Sequence, residues 1–166
     1  MPPMETGRTP SPQQATRWLT PDELDTWMAL NHLIARLPAV LGAQLQCDAD
    51  LSYVEYYVLA SLSDQPAQCT RMSQLANLAN SELSRLSHLI ARLERRGLVR
   101  REPDPTDGRF TNAILTEAGR TYLAEAAPAH VQKVRSMVFD TLDQNSQHAL
   151  RDAAKAIVTR LEEETA

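Results

Sequence analysis

Glycine is scarce in this chain, with five in 166 residues. That leaves little room for a phosphate-cradling loop, and no P-loop, G-x-G-x-x-G or G-x-S-x-G pattern occurs. No catalytic arrangement stands out, so an enzyme is not expected. Cysteine is scarcer still. Cys47 and Cys69 are too few and too far apart for a zinc knuckle or a CxxC redox motif, which points to a reducing, cytoplasmic setting. The four histidines (His32, His88, His130, His148) form no i,i+3 or i,i+4 pair, so neither a metal nor a cofactor is expected. Aromatics make up only 5%, so a core must come mostly from Leu, Ala, Val and Ile. No apolar run reaches the ~18 residues of a membrane span. The opening stretch MPPMETGRTPSPQQATR holds four of the ten prolines and no apolar segment. It reads as a flexible arm over residues 1–18 rather than a signal peptide.

What the chain does have is an uneven charge. The net charge is -4. Between Arg71 and Arg109, however, eight arginines face five acids, so that segment is +3 and the remainder -7. A basic face on an acidic body suits a polyanion partner.

Helix starts are written clearly. In LTPDELDTW, Thr20 is the N-cap, Pro21 stands at N1 and Glu23 closes a capping box, with Leu19 and Leu24 as a hydrophobic staple. That helix is expected to run to about Gln46, kinked at Pro38. Ser52 and Glu55 repeat the device, with Val54, Val58, Leu59 and Leu62 facing inward. A short helix over Ser73–Ala79 and a tight connection at Asn80–Ser81 lead to an amphipathic helix over Glu82–Arg96. There Leu83, Leu86, Leu89, Ile90 and Leu93 form an apolar stripe, and Gly97 ends the helix, with Arg95 and Arg96 near its carbonyl end. The period then changes. LVRRE and FTNAIL flank PDPTDG, which predicts a hairpin with its tip at Asp104–Arg109. Alternation sends Arg100 and Arg101 to opposite faces of that hairpin. Thr116 caps a long helix carrying Pro128, and a last helix covers about Asn145–Glu163. The order predicts a mainly α fold: a winged helix-turn-helix domain with a small β-hairpin wing.

With the leucine stripe inward, the outer face of the amphipathic helix shows Ser84, Arg85, Ser87, His88 and Arg92. Arginine grips guanine bidentately in a major groove, and Ser and His donate to bases or phosphates. Early residues are expected to address bases, and Arg92 a phosphate. Arg109 at the hairpin tip suits the focused negative potential of a minor groove, with Gly108 letting the tip turn sharply.

Met72 to Gly119 resembles the MarR family of bacterial transcription regulators. The marks are SRLSHLIARLERRGLV, the wing DPTDGR and the exit LTEAG. The terminal helices are similar only in length and amphipathicity. The resemblance implies a homodimer, with N- and C-terminal helices (residues 19–47 and 117–166) forming a dimerisation lobe. Residues 48–116 would form the DNA-binding lobe, and the two recognition helices would read a pseudo-palindrome in double-stranded DNA. It also implies that Asp107 braces the wing and Arg109 probes DNA. A repressor relieved by a ligand is the expected activity. Trp27, Tyr53, Tyr56 and Tyr57 are candidates for a pocket holding a small aromatic or phenolic effector; their other reading is packing between the first two helices. Two alternatives stay open: a winged-helix adaptor for protein–protein contact without an operator, and a thiol-based redox sensor. For the second, acidic neighbours disfavour Cys47, Arg71 lies near Cys69, and peroxide-sensing members carry their cysteine near the start of the first helix.

Overall fold

The structure, a computed structural model, describes residues 16–165. The expected arm lies outside those residues except for its last three. The chain divides into two compact units, residues 1–36 and 37–166. Among the described residues, no helix is long and apolar enough to cross a membrane.

The described part of the first unit is the start of helix α1 (Pro21–Ala49). Its capping box forms as the sequence predicts: Glu23 N–H donates to Thr20 Oγ1 at 3.2 Å and Thr20 N–H to Glu23 Oε2 at 2.8 Å. Leu19, Leu24, Trp27, Met28, Leu33 and Ile34 are all exposed by two-fifths or more, so the expected staple residues are not buried in this unit. Pro38 does not end the helix.

The second unit has a single core. Helix α2 (Tyr53–Ser63) starts at the Ser52–Glu55 box, with both of its hydrogen bonds present. Val58, Leu59 and Leu62 are fully buried, but Val54 is 43% exposed, against expectation. A 3-10 turn at Pro66–Gln68 then leads into a strand the sequence did not suggest, β1 (Cys69–Arg71). Helix α3 (Met72–Leu78) and helix α4 (Leu83–Arg95) follow. Strands β2 (Val99–Pro103) and β3 (Thr111–Leu115) form the hairpin. The antiparallel sheet runs β1-β3-β2, so β3 is central, pairing Thr70 with Ala113 on one side and Arg101 with Ala113 on the other. Leu75, Leu86, Ile90, Leu93, Val99 and Ala113 close the core between helices and sheet.

The C-terminal part is helical. Thr116 Oγ1 caps α5 (Glu117–Met137) by accepting from Gly119 N–H at 2.9 Å. Helix α6 (Gln144–Thr165) is unlike the rest: every residue from 148 to 164 is exposed.

Candidate nucleic-acid interface

Two turns of the same kind fix where α4 points. At the end of α3, Asn80 takes a left-handed conformation (φ 44°), Ser81 N–H donates to Ala76 O, and Asn80 N–H donates to Asn77 O. At the end of α4, Gly97 does the same (φ 73°), with Leu98 N–H on Leu93 O and Gly97 N–H on Glu94 O. Both are Schellman closures, which satisfy last-turn carbonyls and redirect the chain sharply. Between them α4 buries Leu86, Ile90 and Leu93 completely. Ser84, Arg85, His88, Arg92 and Arg95 are exposed along the opposite side, at helical spacing, and Ser87 is half-buried beside them.

Leu83 leaves the predicted stripe. It is 52% exposed, because the first helical residue projects past the core that its successors fill. With Arg71, Ser87, Arg101, Arg109 and Phe110 it lines a groove of about 280 Å³ between α4 and the hairpin.

The wing is organised by Asp104, a residue the sequence reading passed over. It is 8% exposed. Its Oδ1 accepts from Thr106 Oγ1 at 2.6 Å and Thr106 N–H at 2.8 Å, while its Oδ2 accepts from Arg71 Nε at 2.7 Å. The Thr106 hydroxyl first, then the Arg71 guanidinium, then the Thr106 amide hold its carboxyl well below the usual range. Arg71 in turn covers the Phe110 ring, 4.4 Å from its centroid. A D-x-T turn signal at Asp104–Thr106 was available in the sequence, but its partner Arg71 was not. At the tip, Arg109 donates from Nε and a terminal nitrogen to Asp107 at 2.9 and 2.6 Å, and its backbone N–H also reaches Asp107. The Arg109 side chain first, then its backbone N–H, lower the Asp107 pKa, and the pairing raises that of Arg109. Arg109 remains 84% exposed. Gly108 is not what makes the tip turn: its φ lies outside the left-handed region and a side chain there would meet open space. Hydrogen bonds onto Asp104 and Asp107 shape the loop instead.

Four of the other arginines already have partners. Arg101 forks onto Glu94, with bonds of 2.7 and 3.0 Å that lower the Glu94 pKa and tie β2 to α4. Arg100 pairs with Glu102. Arg96 does not serve the end of its own helix as expected. It reaches across to Asp50 O and the Tyr122 hydroxyl, at 2.8 and 2.9 Å. Arg92 donates its Nε–H to the buried Glu55 at 2.9 Å, a contact between α4 and α2 that the sequence did not reveal. Arg85 and Arg95 have no side-chain partner among the described residues.

The tyrosine candidates separate. Trp27 belongs to the first unit, where it lines a shallow apolar concavity with Leu19, Thr26 and Leu30. In the second unit Tyr57 is 45% exposed, while Tyr56 is half-buried with its ring centroid 4.3 Å from that of His130. His130 is 8% exposed and 3.1 Å from Gln44 Oε1. Burial lowers the His130 pKa and raises that of Tyr56. Cys47 is exposed and Cys69 half-buried in β1. Among the described residues, no three His, Cys, Asp or Glu side chains are placed to hold a metal ion.

This geometry has close counterparts. Residues 49–109 match a family model described as MarR family. Transcriptional regulator HosA of Escherichia coli O111:H- is 39% identical over 79 residues, covering 48% of this chain and 57% of HosA. The chain thus spans just over half the length of the HosA relatives it matches. Two solved structures from Streptomyces coelicolor align far more completely. AbsC is 36% identical over 89% of this chain and 99% of its own, with a TM-score of 0.84. Sco3205, a MarR family regulator solved in complex with DNA, is 40% identical over 88% of this chain and 91% of its own, with a TM-score of 0.83. With that identity over nearly the whole of a solved member, around a helix-turn-helix and wing built as described, this chain belongs to the MarR family of transcription regulators, which are not enzymes.

Proposed function

We propose that the chain is a sequence-specific double-stranded DNA-binding regulator that acts as a homodimer on a pseudo-palindromic operator, as a repressor relieved by a small ligand. One observation carries the DNA-binding reading. An acidic chain presents Ser84, Arg85, His88, Arg92 and Arg95 along the outer side of α4, with the exposed guanidinium of Arg109 on the wing beside it. A major groove accepts such a helix, whose early residues meet base edges and later ones phosphate. Arg85 is the base-reading candidate, since no carboxylate restrains it. Arg109 is the wing contact.

Dimerisation is supported by α6, whose Leu150, Ile157 and Val158 are 42–49% exposed at helical spacing. A 22-residue helix with no buried residue among those described gains little by folding unless something covers it. A dimer reading two half-sites holds its recognition helices about one DNA turn apart, ~34–36 Å. An effector that favours another spacing depletes the DNA-competent population. Tyr53, Tyr56 and Tyr57 supply apolar walls with hydroxyl handles suited to a small aromatic or phenolic effector.

The test is a mobility-shift titration on DNA upstream of the protein's own gene. Arg85→Ala and Arg109→Ala are each expected to weaken binding by roughly ten- to a hundredfold, the scale of a lost bidentate or charge-assisted contact. Parent-like binding by both variants would remove helix and wing from the interface.

A further inference from the structure

We propose that Glu55 is a positioning residue for DNA binding, holding Arg92 by its Nε–H so that the outer amino groups of Arg92 meet a phosphate beside the recognition helix. The inference rests on the DNA-binding reading above and adds to it a residue outside the helix-turn-helix and wing.

The observation is a buried charge. Glu55 is 5% exposed, and an ionised carboxylate is costly to bury unless both its oxygens are partnered. One oxygen closes the capping box, accepting Ser52 N–H at 2.8 Å. A cap needs no more than that, and a glutamine at this position serves as well. The second oxygen is turned to Arg92, 37 residues away on α4, at 2.9 Å. Capping therefore explains half of the carboxylate and leaves the other half to Arg92.

The arginine is gripped in an unusual way for an ion pair. Its guanidinium carries five N–H donors, and Glu55 takes only the Nε–H. The two terminal amino groups have no partner among the described residues. The side chain is 54% exposed and stands on the same side of α4 as Arg85, His88 and Arg95. A buried oxygen thus fixes the inner edge of the guanidinium while the outer edge faces away from the core. Ordering a long side chain before its ligand arrives removes a cost that would otherwise oppose binding. Arg95, next along the row, has no such support.

The test uses a duplex that the full-length parent selects from a random-sequence pool. Glu55→Gln, Arg92→Ala, Arg92→Lys and the Glu55→Gln/Arg92→Ala double variant are compared by affinity, by phosphate-ethylation interference and by thermal melting. Glu55→Gln keeps a cap acceptor and is expected to fold, yet to bind roughly tenfold more weakly, the scale of a charge-assisted hydrogen bond. One phosphate per half-site whose ethylation blocks the parent should cease to matter in both Glu55→Gln and Arg92→Ala. The double variant should bind no more weakly than Arg92→Ala. A role confined to capping would lower the melting temperature and leave the interference pattern unchanged, and that result overturns the proposal. Should Glu55→Gln lose its fold, Arg92→Lys decides. A lysine can remain against Glu55 but has no fork to present, so the same phosphate should fall silent; its persistence overturns the proposal. If Arg92 variants bind as the parent does while Arg85→Ala fails, the proposal falls and the DNA reading stands. If the parent selects no duplex, both fall.

Discussion

Arg71 and Asp104 are 33 residues apart in sequence, and 2.7 Å separates the guanidinium Nε of one from a carboxylate oxygen of the other. This contact joins β1 to the wing, and Asp104 uses its second oxygen to close the turn at Thr106. The base of the wing is therefore held by this ionised carboxylate, as its tip is held by Asp107.

That dependence has a pH signature. The folded pKa of Asp104 is depressed, so its contribution is complete above the unfolded value of ~3.9 and is lost as pH falls from there towards the folded value. Asp104→Asn is expected to lower the urea midpoint at pH 7. The gap between parent and variant should hold down to about pH 5 and narrow below ~4. A gap independent of pH down to strong acid would contradict the assignment.

His130 predicts loss of stability in a different window. Burial against Tyr56 and Gln44 depresses its pKa, so the neutral ring is the form the fold accepts. Its contribution is present above the unfolded value of ~6.5 and is lost as pH falls through the lower folded value. The parent's urea midpoint should therefore drop as pH falls below about 6.5, and that of His130→Gln should drop less. Parallel profiles would exclude His130 as the source.

Gly119 sets two effects against each other. Alanine is the better helix former by ~1 kcal/mol, so propensity alone favours Gly119→Ala. The added methyl, however, collides with the Leu98 carbonyl oxygen and lies 2.7 Å from Leu115 Cδ1. A backbone carbonyl at a sheet entry has little room to move, and such overpacking costs about 1–3 kcal/mol or more. Net destabilisation is expected in urea titration; a stabilised variant would show that α5 can shift away.

The α6 face predicts the oligomeric state. Leu150→Asp/Ile157→Asp should sediment as a monomer at concentrations where the parent is a dimer, with its melting of the α2–α4 core preserved. A dimer surviving both charges would place the interface elsewhere.

Local signals were legible in the sequence and distant ones were not. Thr20, Ser52 and Thr116 declare helix starts within four residues, and the hairpin declares itself through PDPTDG. The β1 strand is too short to show any period, and exists because Thr70 and its neighbours pair with β3. Leu83 obeyed the helical period on paper but stands at a helix end, where period alone cannot tell core from rim. Glu55 looked complete as a cap because its second partner lies on another helix. Of the arginines, Arg85 stands on the outer side of α4, as the leucine stripe alone predicts. The partners of Arg71, Arg92, Arg96 and Arg101 depend on which elements the fold brings together.

Those partners change what a salt titration would count. Arg71, Arg92, Arg100, Arg101 and Arg109 each carry a carboxylate of the chain itself. These acids act as internal counterions. A phosphate arriving at Arg109 in the proposed complex would trade places with Asp107, so that little net charge on the protein would be newly neutralised. The linear dependence of log affinity on log salt, about 0.9 per phosphate neutralised, then reports Arg85 and Arg95 more fully than the arginines that come already paired. This face would hold DNA through more contacts than its salt slope reveals, and would lose less of its grip as ionic strength rises.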